Sequence, residues 1–119
     1  MKITIETIPH DKQRYDTCGD WRWVAPFHLC ITVSEIGDWK METCVGVHEV
    51  CEALICSALE ISQNAVDEFD MAFTGDGEPG NAPGCPYRLP HRIATTIEFA
   101  LAMAIGLNWN EYEKRLNAL

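Results

Sequence analysis

His28-Leu29-Cys30-Ile31-Thr32-Val33, then Ser34-Glu35-Ile36-Gly37-Asp38, then the run Trp39-Lys40-Met41-Glu42-Thr43-Cys44-Val45-Gly46-Val47-His48-Glu49-Val50-Cys51-Glu52 is the stretch whose reading decides the fold. Its first six residues are rich in β-branched side chains and alternate in polarity, as a half-buried strand does. After Asp38 the period changes. Val47, Val50, Cys51, Leu54, Ile55 and Ala58 recur at helical spacing and predict the buried stripe of a helix over residues 39–59. Asp38 is placed to cap that helix. Gly46 weakens it by up to ~1 kcal/mol relative to alanine, unless the missing side chain lets another element pack close.

Working outward, residues 2–8 alternate in polarity and read as a first strand, and residues 9–20, with Pro9, Asp16, Gly19 and Asp20, as a loop. Residues 21–24 and 27–33 are two further strands separated by Ala25-Pro26. Towards the C-terminus, Ser62 or Asn64 caps a short helix over residues 65–73. Residues 74–90 hold four glycines and four prolines. Loops of that length inside small domains tend to be functional or disordered. A helix over residues 91–105 ends at Gly106. Asn108, with Glu111 three residues on, opens a last helix that packs Trp109, Tyr112 and Leu116. The expectation is one α+β domain spanning residues 1–119, with a short N-terminal antiparallel sheet of about three strands packed against three to four helices.

With 119 residues, 47% apolar and 23% charged, the chain is ordinary for one globular domain. No apolar run approaches the roughly 18 residues needed to span a membrane. The alternating start lacks the apolar core of a secretory signal, so the expected setting is cytoplasmic. Six cysteines, Cys18, Cys30, Cys44, Cys51, Cys56 and Cys85, then read as free thiols. Cys51 and Cys56 diverge on a helix and are badly placed to bridge.

The net charge is −9 and unevenly spread. No lysine or arginine lies between Met41 and Tyr87, a span holding Glu42, Glu49, Glu52, Glu60, Asp67, Glu68, Asp70, Asp76 and Glu78. Such a field repels nucleic-acid phosphates and favours cations. No Gly-x-Ser-x-Gly appears, and the glycine-rich loop is acidic and lacks lysine, which makes it a poor phosphate cradle.

The chemistry concentrates in His48-Glu49-Val50-Cys51-Glu52. His48 and Glu52, four residues apart, share one helix face and can meet one ion. Glu49 projects about 100° round the helix. His91, at the end of the long loop, is the candidate third ligand, with Asp67, Asp70 and Glu98 as substitutes. Arg88 and Arg92 could instead grip an anion. Cys44, His48 and Cys51 also lie at helical spacing and, with Cys85, could hold a structural zinc. A solvated helix face carrying two glutamates and a histidine is the plain alternative.

The pattern resembles the active helix of the zincin metallopeptidases, His-Glu-x-x-His, with His48 matching the first ligand, Glu49 the general base, and Glu52 standing where the family has its second histidine. The resemblance implies a divalent metal, zinc by preference, and hydrolysis of an amide or similar bond by metal-activated water. Glu49-x-x-Glu52 followed by Asp67-x-x-Asp70 is also similar to the carboxylate pairs of the all-α MazG-type nucleotide pyrophosphatases, which implies magnesium and a triphosphate. As a whole the chain resembles small uncharacterised proteins of tailed bacteriophages, with a strand-rich front, a His-Glu helix and a Glu-Pro-Gly loop. That likeness implies the host cytoplasm and a non-catalytic alternative, an interaction protein acting on a host factor, for which exposed Trp21, Trp23 and Tyr87 would serve. The expected partner is a small molecule, a peptide or a host protein, with no nucleic acid and no membrane.

Overall fold

β-branched and aromatic residues in alternation build three strands, β1 (Lys2–Ile8), β2 (Gly19–Ala25) and β3 (His28–Ser34). A computed structural model describes all of residues 1–119. The strands form one sheet in the order β1-β3-β2. The short connection through Pro26 forces β2 and β3 into an antiparallel hairpin, with a bulge between Trp23 and Ala25. β1 pairs with β3 in parallel, from Lys2 opposite His28 to Ile8 opposite Ser34. The sheet is therefore mixed, where the sequence pointed to an antiparallel one. The segment after β1 is long enough to cross the end of β3 before entering β2. Its two ends bracket that crossing, with Ser34 N donating to Cys18 O and Glu35 N to Ile8 O.

Four helices follow: α1 (Trp39–Ala58), α2 (Gln63–Ala72), α3 (Arg88–Ala104) and α4 (Trp109–Asn117). The structure is α+β, as the sequence pattern indicates. Three of the helices start at side-chain caps. Asp38 accepts from Lys40 N and Met41 N, Ser62 from Ala65 N, and Asn108 from Glu111 N. Glu42 reaches back to Ile36 N and Gly37 N at 2.8 and 2.9 Å, which fixes the turn from β3 into α1. α3 begins three residues earlier than the sequence suggested. Pro90 lies in its first turn, where a missing N–H costs nothing.

α1 lies across the sheet and α3 packs antiparallel against α1, so that residue 48 faces 98 and residue 52 faces 91. Leu29, Ile31 and Val33 of β3 form the floor of the core, with Cys44, Val45, Ala53 and Cys56 of α1 above them. Gly46 is required by this arrangement. A Cβ there would stand 3.1 Å from Ile5 Cγ2, so its absence lets the helix sit directly on β1.

One expectation is inverted. The buried residues of α1 are Met41, Cys44, Val45, Gly46, His48, Glu52, Ala53 and Cys56. Val47, Val50, Cys51, Leu54, Ile55 and Ala58, the stripe read as buried, face outward or sit at the margin. His48 and Glu52 point in because the other elements supply partners for them.

No helix is long and apolar enough to cross a membrane. All six cysteines are unbridged, with Cys44, Cys56 and Cys85 buried.

Candidate metal centre

Three side chains from two helices converge between the sheet and α3. His48 and Glu52 come from successive turns of α1, and His91 from the first turn of α3. His48 Nε2 lies 3.3 Å from Glu52 Oε2 and 3.2 Å from His91 Nδ1, and His91 Nδ1 lies 3.0 Å from Glu52 Oε2. All three residues are buried, and together they make a group that could hold a metal ion. The sequence named these three residues as a candidate ligand set, and the fold brings them together.

The far side of each imidazole is also held. His48 Nδ1 faces Glu98 Oε2 at 2.7 Å, and Tyr112 donates to Glu98 Oε1 at 2.6 Å. His91 Nε2 faces Glu78 Oε2 at 3.0 Å. Trp21, from β2, donates its indole N–H to Glu52 Oε1 at 3.1 Å. With both outer nitrogens protonated toward carboxylates, His48 Nε2 and His91 Nδ1 are left facing each other and Glu52. This is the carboxylate-backed histidine arrangement common to metal sites.

The electrostatics depart from ordinary values as a group. Burial opposes charging of His48, but hydrogen bonds to Glu52 and Glu98 outweigh it and raise its pKa well above the usual range. Burial likewise opposes charge on His91, and Glu52 and Glu78 overcome it and raise the pKa to about 9. Glu52 is held down to about 2: burial acts against this, and the hydrogen bonds from His48 and His91 prevail. Three carboxylates surrounding two imidazoles need positive charge among them, and a dication meets the same need as two imidazole protons.

Glu49 is set apart from this cluster. It makes no hydrogen bond, and its carboxyl presses on the backbone of Gly19, where a Cβ would stand 2.7 Å from its Oε1. Burial and the charge of Glu52 push its pKa well up. It lines, with the three cluster residues, a cavity of about 360 Å³ that is also walled by Asp67, Asp70, Glu78 and Tyr87.

The loop between α2 and α3 shapes the other wall. Gly80 is buried against the His91 ring, and a Cβ there would lie 2.4 Å from the ring Cγ. The long glycine- and proline-rich loop thus delivers Glu78 and a bare backbone to one imidazole. Opposite it, Arg14 bridges Asp20 at 2.7 and 2.8 Å and Asp67 at 3.1 Å, tying the 9–18 loop to α2. Tyr15 and Tyr87 both donate to Asp70. Burial raises the Asp70 pKa to about 6 against the opposing pull of those two hydroxyls.

The substitutes considered for the third ligand take other roles. Asp67 is engaged by Arg14, Asp70 by the tyrosines, and Glu98 stands behind His48. The same engagements occupy the second carboxylate pair of the MazG-type pattern, and the sheet departs from that family's all-α architecture. The group that could hold a metal contains no cysteine, so the Cys44-His48-Cys51-Cys85 arrangement is not formed. Arg88 and Arg92 are exposed and lie outside the cavity lining. Trp21 and Tyr87, expected on a binding surface, are buried, Trp21 because its N–H serves Glu52.

Glu78, Tyr112 and Trp21 were not identified from the sequence as parts of the site. Glu98, named from the sequence as a substitute ligand, lies seven residues after His91 and so on the same helix face. No protein-family model matches the chain, and no curated protein or solved structure is significantly similar to it.

Proposed function

We propose that the chain is a zinc-dependent hydrolase in which His48, Glu52 and His91 hold the ion and Glu49 is the general base. One observation carries this reading. The three donor atoms are separated by 3.0 to 3.3 Å. Zinc bonded at about 2.0–2.1 Å in a tetrahedron sets its ligands about 3.3 Å apart. Two imidazoles and one carboxylate suit zinc better than magnesium or calcium, which prefer oxygen.

A zinc ion there would supply Lewis acidity and lower the pKa of a water molecule at its open position. Glu98 and Glu78 fix the ring orientation of His48 and His91. Glu52 is steadied by Trp21, which leaves its other oxygen free for the ion. Glu49 makes no hydrogen bond in the fold and lines the cavity, and the burial and the Glu52 charge that raise its proton affinity suit a group that takes a proton from water there. The cavity admits a short segment or small molecule. Its carboxylates favour a neutral or cationic substrate with an amide or similar bond and disfavour phosphates.

The experiment has two stages. Untagged protein purified without chelator should carry about one zinc per chain by elemental analysis, and chelation should lower its melting temperature. The metallated protein is then screened against a panel of peptides and acylated amines, with nucleotides as the contrasting class. Glu49→Gln should keep metal and melting temperature and lose roughly 10²-fold or more in rate. Metal-free protein whose melting is unmoved by added zinc would remove the metal reading. Equal rates for wild type and Glu49→Gln would remove the base.

A further inference from the structure

The outward face of α1 carries no carboxylate although the chain has 18. From one end to the other this arc presents Thr43, Val47, Val50, Cys51, Leu54 and Ala58, and its only charge is Lys40. Because α1 and α3 run antiparallel with the metal cluster on one side of their contact, the opposite sides of both helices join into one surface. On α3 that side contributes Leu89, Ile93 and Ile97, spaced at four residues, with Ala100 and Ala104 continuing the row. Beyond α1, Ile5 extends the patch onto β1, where it rests against Gly46. Ile3 follows on the same strand face.

We propose that this face is the interface of a homodimer, with α1 and α3 of each copy packed across a two-fold axis. Leu54, Leu89, Ile93, Ile97, Ile3 and Ile5 are each between 38% and 59% exposed. With the smaller neighbours this is on the order of 600 Å² of apolar surface, the upper end of what a monomer leaves in one patch. A stable dimer buries about 800 Å² per partner, roughly two-thirds of it apolar, so the patch has the area and composition required. Charge selects a second copy as the occupant. Two chains of net charge −9 repel through any acidic face, and this face is free of carboxylates. α1 is about 30 Å long, enough for two antiparallel copies to interdigitate over several turns. The inference is independent of the metal, because no ligand lies on this face.

Sedimentation or light scattering of the full chain tests it. Wild type at about 10 µM should have twice the monomer mass of 13.4 kDa. The pair Leu54→Glu with Ile97→Glu should dissociate it, raising the dimer Kd at least about 100-fold with an unchanged circular dichroism spectrum. Phe27→Glu is the control. Phe27 is the most exposed apolar side chain, at 74%, but sits on the β2–β3 hairpin away from the patch, so this change should leave the dimer intact. If the double variant does not fold, Ile93→Lys alone is read in the same way. A wild-type monomer at 100 µM, a dimer that survives the α1/α3 substitutions, or a dimer broken by Phe27→Glu would each overturn the proposal.

Discussion

The two faces of α1 differ in where they carry ionisable side chains. Its inner face holds His48, Glu49 and Glu52, and of these His48 and Glu52 are paired with groups from other elements. Its outer face is nearly uncharged and, apart from Val50 at its margin, largely uncovered by the chain. An ordinary amphipathic helix gains stability by burying its apolar stripe. Here the buried stripe includes His48 and Glu52 among its apolar residues, which is tolerable because each of those two groups meets an opposite or hydrogen-bonding group. A buried polar network of this kind stabilises little by itself and is costly to break, so substitutions on the two faces should differ sharply in effect.

The largest effect is expected from His48→Ala. It removes the imidazole from between Glu52 and Glu98, both buried, and leaves Glu52 with Trp21 and His91 and Glu98 with Tyr112 alone. Breaking a buried pair from one side costs about 3–5 kcal/mol. The variant should lose the metal altogether, which elemental analysis checks, and melt well below wild type. Leu54→Ala, on the outer face, should retain the metal in full, and the contrast between the two breaks down if both lose it.

Next in size is Gly80→Ala. The added Cβ cannot coexist with the His91 ring at 2.4 Å, and the rigid imidazole has no flexible end to yield. Displacing loop or ring should cost about 1–3 kcal/mol, as overpacking does. Zinc affinity should fall roughly tenfold with it, in the range seen when supports of a ligand are disturbed. Titration against a competing chelator reads this. Gly77→Ala, in the same loop but with open space around it, carries strain from its φ of +81° and should leave zinc affinity alone.

The smallest effect separates the site from its rim. Asp70 has a folded pKa of about 6 against an ordinary 3.8. Its folded form therefore holds a proton that the unfolded chain has released between those values, and its contribution becomes less favourable as pH rises from 4 through 6. Tyr15 and Tyr87 donate to it, and the charges of Glu52 and Asp67 oppose its ionisation. Asp70→Asn should stabilise by about 1 kcal/mol at pH 7, allowing for its partial exposure. The gain should vanish near pH 4. A difference in melting temperature that stays constant from pH 4 to 7 would show that Asp70 titrates normally.

Helix existence was legible in the sequence because it depends on local chemistry. Asp38, Ser62 and Asn108 satisfy orphan N–H groups within three residues of themselves, so their signals survive in a linear reading. The parallel partner of β1 was not legible. A long connecting segment leaves strand order open, and only contacts distant in the chain fix it. The direction in which α1 points its faces was also misread, because apolar periodicity records that a stripe exists and not what covers it.

By itself the sequence determined the element types, the α+β class, and the chemistry of His48, Glu49 and Glu52 as neighbours on one helix. Those follow from spacing along a single element, where geometry is set by 3.6 residues per turn. Only the tertiary structure decided that His91 completes the cluster, that Glu98 and Glu78 stand behind the two imidazoles, and that Gly80 makes room for one of them. His91 and Glu98 lie 39 to 50 positions from the α1 residues they meet, and Glu78 reaches His91 from 13 positions before it, out of the long loop. Their meeting depends on how α3 crosses α1 and how the loop folds over both. That packing is the joint outcome of the whole core, and no local pattern encodes it.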